Sequence, residues 1–77
     1  MDNPAKILEI VRTVSKQNVN PGADDSLFQS GVLDSFALPD LVAELEREFS
    51  ISIPDSDLIP RKFETLARIE SYIQGRT

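Results

Sequence analysis

Apolar residues recur at Ile7, Ile10, Val11 and Val14, a spacing of i, i+3, i+4 and i+7 that gathers them on one face of an amphipathic helix. Asn3-Pro4 precedes them, a capping side chain followed by a proline suited to a first helical position, so the pattern predicts a helix over about residues 4–17. Asn18, Asn20, Pro21, Gly22, Asp24 and Asp25 then break the periodicity. A second stripe, formed by Leu38, Leu41, Val42, Leu45 and Phe49, predicts a helix that opens with Ser35 as its cap and ends near Ser50. Pro39 falls within or just past the first turn of that helix, where a missing N–H costs least.

Between the first two helices runs a long segment to about residue 34, and loops of that length are usually functional or disordered. Leu27, Phe28, Val32 and Leu33 give this one apolar anchors, and Gly31 supplies a turn. It reads equally as a packed crossover or as a loop that also presents a site. Ile51-Ser52-Ile53 alternates as a strand would, yet no second strand exists to pair with it. Pro54, Asp55, Ser56 and Asp57 form a turn and a cap, Leu58 and Ile59 are core candidates, and Pro60 stops any helix begun at residue 56. A last helix is expected from about Thr65, with Leu66, Ile69 and Ile73 facing inward and Gly75 closing it. The fold class is therefore all-α, with three longer helices and one short one.

Composition narrows what such a bundle can do. A chain of 77 residues suffices for a single domain spanning 1–77 and leaves little room for a deep, walled active site. There is no cysteine and no histidine, which removes disulfide staples, thiolate metal sites, the strongest side-chain nucleophile and the commonest general base. A carboxylate pair acting as acid and base would still need a cleft to hold a substrate. Thirteen acidic against eight basic side chains give a net charge of -5, which repels nucleic-acid phosphate and anionic lipid and favours basic-faced protein partners. No apolar run approaches the roughly 18–20 residues of a membrane span, and Met1-Asp2-Asn3-Pro4 lacks a secretory pattern, so no membrane insertion and a cytoplasmic location are expected.

Three features of the second helix stand outside the core pattern. Asp34-Ser35 places an acid and a hydroxyl where a helix end exposes unpaired amides and positive potential, a favourable field for a phosphodiester made on that hydroxyl and equally an ordinary cap. Asp40, Glu44 and Glu48 follow i, i+4 and i+8 on the face away from the apolar stripe, with Arg47 diluting them. Such like charges repel, so the row is either a solvated face or a docking face for a basic partner. Phe36 projects well off the core, beside Ala43 and Arg47, and serves either as a cover for the long loop or as an exposed anchor at the rim of a partner site.

The run Leu27-Phe28-Gln29-Ser30-Gly31-Val32-Leu33-Asp34-Ser35-Phe36, the stretch Leu41-Val42-Ala43-Glu44-Leu45-Glu46-Arg47-Glu48-Phe49 with Ile51-Ser52-Ile53-Pro54, and Phe63-Glu64-Thr65-Leu66 with Ile69 resemble the acyl and peptidyl carrier proteins. The likeness is collinear over about residues 5–74. It implies a four-helix acyl-carrier-like bundle in which a phosphopantetheinyl transferase moves 4′-phosphopantetheine from coenzyme A onto the motif serine, here Ser35, with Asp34 as the motif's acidic residue. Cargo then rides as a thioester on the arm's thiol, so a chain without cysteine can take part in thioester chemistry. The resemblance also implies a partner-facing surface at Phe36, Asp40, Ala43, Glu44, Arg47 and Glu48, met by an acyl- or aminoacyl-loading ligase and by downstream transferases with basic surfaces. The carrier itself would be a monomer and not an enzyme.

Phe36 stands where the family usually has leucine, and Gly31 lies four residues before the serine where many fatty-acid carriers have glycine three before. Both, together with Arg61-Lys62-Phe63-Glu64-Thr65, look more like stand-alone D-alanyl and other aminoacyl carriers, whereas Ala37-Leu38-Pro39-Asp40 does not. Fatty acyl, polyketide and amino-acid cargo all stay open at this point. The alternative from another class is a helical interaction module that keeps the carrier fold but takes no arm, and an enzyme using paired carboxylates is a third.

Overall fold

The computed structural model describes residues 3–76; Met1 and Asp2, which belong to the N-terminal run discussed above, lie outside the described residues, as does Thr77. Three α-helices form, α1 (Asn3–Ser15), α2 (Leu38–Phe49) and α3 (Leu66–Arg76), and no strand occurs among the described residues. Ile7, Ile10 and Val11 of α1, Leu38, Leu41, Val42 and Leu45 of α2, and Ile69 and Ile73 of α3 are buried together, with α1 packed against both of the other helices. Burying each such side chain contributes about 1.5–3 kcal/mol.

The expected four-helix count becomes three, because the single short helix is replaced by two 3-10 turns, Asp55–Asp57 and Pro60–Phe63. Pro60 opens the second turn: its ring and missing N–H prevent an α-helix from running through it but suit a first helical position. Leu58 and Ile59 lie between the two turns, and neither is a core residue; Leu58 is half-buried and Ile59 is 45% exposed. Phe63 takes the inward place, fully buried, with its ring 5.2 Å from that of Tyr72.

Helix ends also differ from the expectation. α1 stops at Ser15, two residues short of the expected end, and Lys16 follows with φ 58° in the left-handed region. α2 ends on Ser50 in the same region, φ 54°, its N–H donating to the Glu46 carbonyl. Gly75 lies inside α3 rather than closing it, and Thr65 starts that helix as a cap, its Oγ1 accepting from the Arg68 N–H at 3.1 Å.

The long segment between α1 and α2 is fastened. Leu27 donates its N–H to the Glu64 carbonyl at 2.7 Å, Ala67 donates to the Ala23 carbonyl at 3.0 Å, and the Ser26 hydroxyl donates to Glu64 Oε2 at 2.9 Å. Leu27 and Leu33 are buried while Phe28 and Val32 pack at the core's edge. Gly31 turns the chain with φ 84°, in open space, so backbone conformation and not crowding calls for glycine there. This crossover delivers residue 33 to the core and residue 34 to the surface.

Candidate functional site

Leu33 and Leu38 are both buried, and the residues between them bulge outward as a turn. The Ala37 N–H donates to the Asp34 carbonyl at 3.0 Å and to Asp34 Oδ1 at 2.9 Å, so Asp34 closes the turn through backbone and side chain together. Ser35 and Phe36 occupy its tip, both exposed, Phe36 to 88%. No hydrogen bond engages the Ser35 hydroxyl among the described residues.

α2 therefore starts three residues later than the sequence suggests, at Leu38, with Ala37 in the capping place and making no side-chain cap bond. A helix opened at Ser35 would require the Pro39 nitrogen, which has no hydrogen, to donate to the Ser35 carbonyl, and would set the proline ring against that carbonyl. With the start at Leu38, Pro39 falls in the first turn, where no donor is needed, and the first bond of the helix runs from the Leu41 N–H to the Ala37 carbonyl at 2.9 Å. Ser35 is thus relieved of capping and its oxygen is free for other chemistry. Because Phe36 precedes the helix, its projected place beside Ala43 and Arg47 on a helical wheel does not apply; of the two roles open to it, the 88% exposure excludes covering the loop.

The remaining predicted surface residues fall along the groove between α1 and α2. Asp40 sits in the first turn of α2, favourably placed for the helix dipole, and with Ala43 and Glu44 it lines a shallow hollow completed by Thr13, Val14 and Lys16 of the α1 end. Further along, Glu44, Arg47 and Glu48 line a second hollow with Lys6, Glu9, Ile10 and Thr13. Arg47 pairs with Glu44 on its own helix, and Lys6 reaches from α1 to Glu48 at 3.5 Å. Arg47 was legible as a diluting charge; Lys6 was not, since only the packing of α1 on α2 brings it to the acidic row.

A second polar cluster went unread in the sequence. Asp57, whose side chain is 16% exposed, accepts from Lys62 Nζ at 2.7 Å on Oδ1, and from the Tyr72 hydroxyl at 2.6 Å and Arg76 Nη2 at 3.0 Å on Oδ2. The Lys62 bond first, then those of Tyr72 and Arg76, hold its carboxyl well below the usual carboxylate range against the opposing effect of desolvation. Burial, and next the bond to Asp57, push the Tyr72 hydroxyl up. Its members are spread over residues 57–76, so no local motif announces it.

An exposed, unengaged hydroxyl on a turn braced by two buried leucines is accessible to a modifying enzyme and leaves room for a covalent arm, and residues 5–73 match the family described as phosphopantetheine attachment site. The chain belongs to this family. Its members are carriers that hold 4′-phosphopantetheine covalently and are not themselves enzymes. This carrier is 34% identical to the D-alanyl carrier protein of Leuconostoc mesenteroides over 77 aligned positions, covering 95% of the present chain and 99% of the relative. It is 35% identical to that of Streptococcus suis, covering 95% and 92% of the two chains, and 39% identical to that of Streptococcus sanguinis over a shorter stretch, 74% and 72%. No helix among the described residues is long and apolar enough to cross a membrane.

Proposed function

We propose that this carrier bears its arm on Ser35 and passes aminoacyl or acyl groups, as thioesters, from a loading ligase to downstream transferases. One observation carries the assignment to Ser35: the Asp34–Ala37 turn holds that hydroxyl exposed and unbonded between two buried leucines. Ser26 and Ser30, the two hydroxyls of the preceding loop segment 26–33, are engaged instead, the first with Glu64 and the second with the Leu27 carbonyl.

In the attachment step the Ser35 oxygen attacks the phosphorus of coenzyme A that carries pantetheine. A phosphodiester forms, the bond to the second phosphorus breaks, adenosine 3′,5′-bisphosphate leaves, and the serine proton passes to a base of the transferase or to solvent. Asp34 fixes the turn that presents the oxygen, and the first amides of α2, three residues on, lend positive potential to the new phosphodiester. The bound arm supplies the thiol on which the cargo is carried.

The names of its relatives make D-alanine the first cargo to test. Incubation of the purified apo protein with coenzyme A and a broad-specificity phosphopantetheinyl transferase is expected to add the mass of one arm to the wild type and nothing to Ser35→Ala. An unmodified wild type, or an arm still present on Ser35→Ala, overturns the assignment. With the arm in place, a D-alanine-activating ligase and ATP are expected to add one alanyl group that hydroxylamine releases.

A further inference from the structure

The coil that leads to Ser35 is a unit hung from one residue. Within it, Gln29 donates its N–H to Ser26 Oγ at 3.1 Å, Ser30 to the Ser26 carbonyl at 3.2 Å, Gly31 to the Phe28 carbonyl at 3.3 Å and Leu33 to the Leu27 carbonyl at 2.9 Å. Residues 29–33 are thereby tied back to residues 26–28, and among the described residues the hydrogen bonds from this coil to the rest of the chain end on Glu64. The Glu64 carbonyl accepts from the Leu27 N–H at 2.7 Å, and its Oε2 accepts from the Ser26 hydroxyl at 2.9 Å. Arg68 stands on the other side, with Nη1 3.7 Å from Glu64 Oε1 and donating to the Arg61 carbonyl at 2.9 Å, so the Glu64 carboxylate lies between the coil and α3.

Asp34 follows Leu33 directly, so the N–H that Leu27 holds belongs to the residue next to the turn that bears Ser35. Burial of Leu27 and Leu33 draws the coil inward, but an apolar contact is non-directional and leaves its rotation and height open. Hydrogen bonds close that freedom, because they weaken steeply once bent off line. A relay therefore runs from Glu64 through Ser26 and Leu27 to Leu33, and from there into the Asp34–Ala37 turn.

We propose that Glu64 and Ser26 are positioning residues for arm attachment, a latch between the start of α3 and the crossover that keeps Ser35 in one presentation. Neither residue is bonded to the serine; both act through the coil. This rests on the assignment of the arm to Ser35 above and adds the residues that hold that serine in place. With the latch open, the transferase meets a turn that is correctly placed only part of the time, and its apparent affinity falls by that fraction. Once the turn is bound, the reacting oxygen is the same, so the loss falls on KM and spares kcat.

The test uses the full chain with a broad-specificity phosphopantetheinyl transferase and coenzyme A, measuring kcat and KM for arm addition, and follows amide hydrogen exchange by NMR on the same proteins. Glu64→Ala and Ser26→Ala are each expected to raise KM about three- to ten-fold with kcat within about two-fold of wild type. The double variant should be little worse than the worse single one, since both remove the same bond. Glu64→Gln, which keeps an acceptor for the Ser26 hydroxyl, should stay close to wild type. Exchange should quicken at Leu27, Leu33 and Ala37 while Leu45 in α2 and Ile69 in α3 keep their protection. Asp57→Asn is the control for lost stability, expected to lower the melting temperature without moving KM. A KM unchanged in both alanine variants, a rise of equal size in Asp57→Asn, or a Glu64→Gln as impaired as Glu64→Ala overturns the positioning role; should Glu64→Ala not fold, Ser26→Ala decides by itself. A wild type that takes no arm overturns the assignment to Ser35 instead, and is seen first.

Discussion

Two aspartates organise two short segments of this protein in opposite ways. Asp34 spends one carboxylate oxygen on a single backbone N–H, that of Ala37, and in doing so lifts Ser35 and Phe36 into solvent. Asp57 uses both oxygens on three side chains, Lys62, Tyr72 and Arg76, and draws the 3-10 turns down onto α3. One acid exposes its neighbours and the other gathers them. The first arrangement suits a site that an enzyme must reach, the second a joint that must hold, since several charge-assisted bonds converging on one largely covered carboxylate hold more firmly than a lone surface turn bond.

The contrast predicts that damage at the Asp57 cluster appears in stability and damage at the turn appears in arm addition. The largest stability effect is expected from Asp57→Ala, which removes the acceptor shared by Lys62, Tyr72 and Arg76: its melting temperature should fall by several degrees at neutral pH, while arm addition at room temperature persists. Because the folded-state pKa of Asp57 is depressed, its contribution is fully present above its unfolded pKa of about 3.9 and is lost as pH falls below that. The melting temperatures of wild type and Asp57→Ala should therefore converge in acid; a gap that stays constant down to the lowest pH at which both fold would contradict the ionic origin of the cluster.

Asp34→Ala removes the one side-chain bond that closes the turn and should cost about 1 kcal/mol in denaturant unfolding, with Asp34→Asn, which keeps an acceptor, closer to wild type. Both should slow arm addition, Ala more than Asn. The smallest stability change is expected for Phe36→Ser, within about 0.5 kcal/mol as for surface positions generally, accompanied by a higher KM for the transferase. If Phe36→Ser instead unfolds the chain, Phe36 is a packing residue and the comparison between the two segments fails.

Much of the fold was legible because helical periodicity is a local signal. Ile7, Ile10 and Val11 in α1, Leu38, Leu41, Val42 and Leu45 in α2, and Ile69 and Ile73 in α3 stand at helical spacing and are buried as that spacing predicts. Phe63 was not legible as core: it stands between Lys62 and Glu64, without periodic neighbours, and is inward only because the second 3-10 turn aims it at Tyr72. Ile59 misled in the other direction, since apolar character alone does not tell which side of a turn a residue takes. The start of α2 was misplaced for a comparable reason. Ser35 is a good cap by residue type, but Asp34 and Pro39 compete to set the boundary and together move it to Leu38.

The sequence by itself determined the helical class, the apolar faces, the Asp34-Ser35 pair and the likeness to carrier proteins, because each rests on residues near one another along the chain. The tertiary structure alone decided that Ser35 lies free on a turn instead of capping a helix, that Lys6 answers Glu48, and that Asp57 meets Tyr72 and Arg76. These depend on where packing brings distant residues and on which of several competing hydrogen bonds forms first choice for a donor. Spacing along a chain records neither.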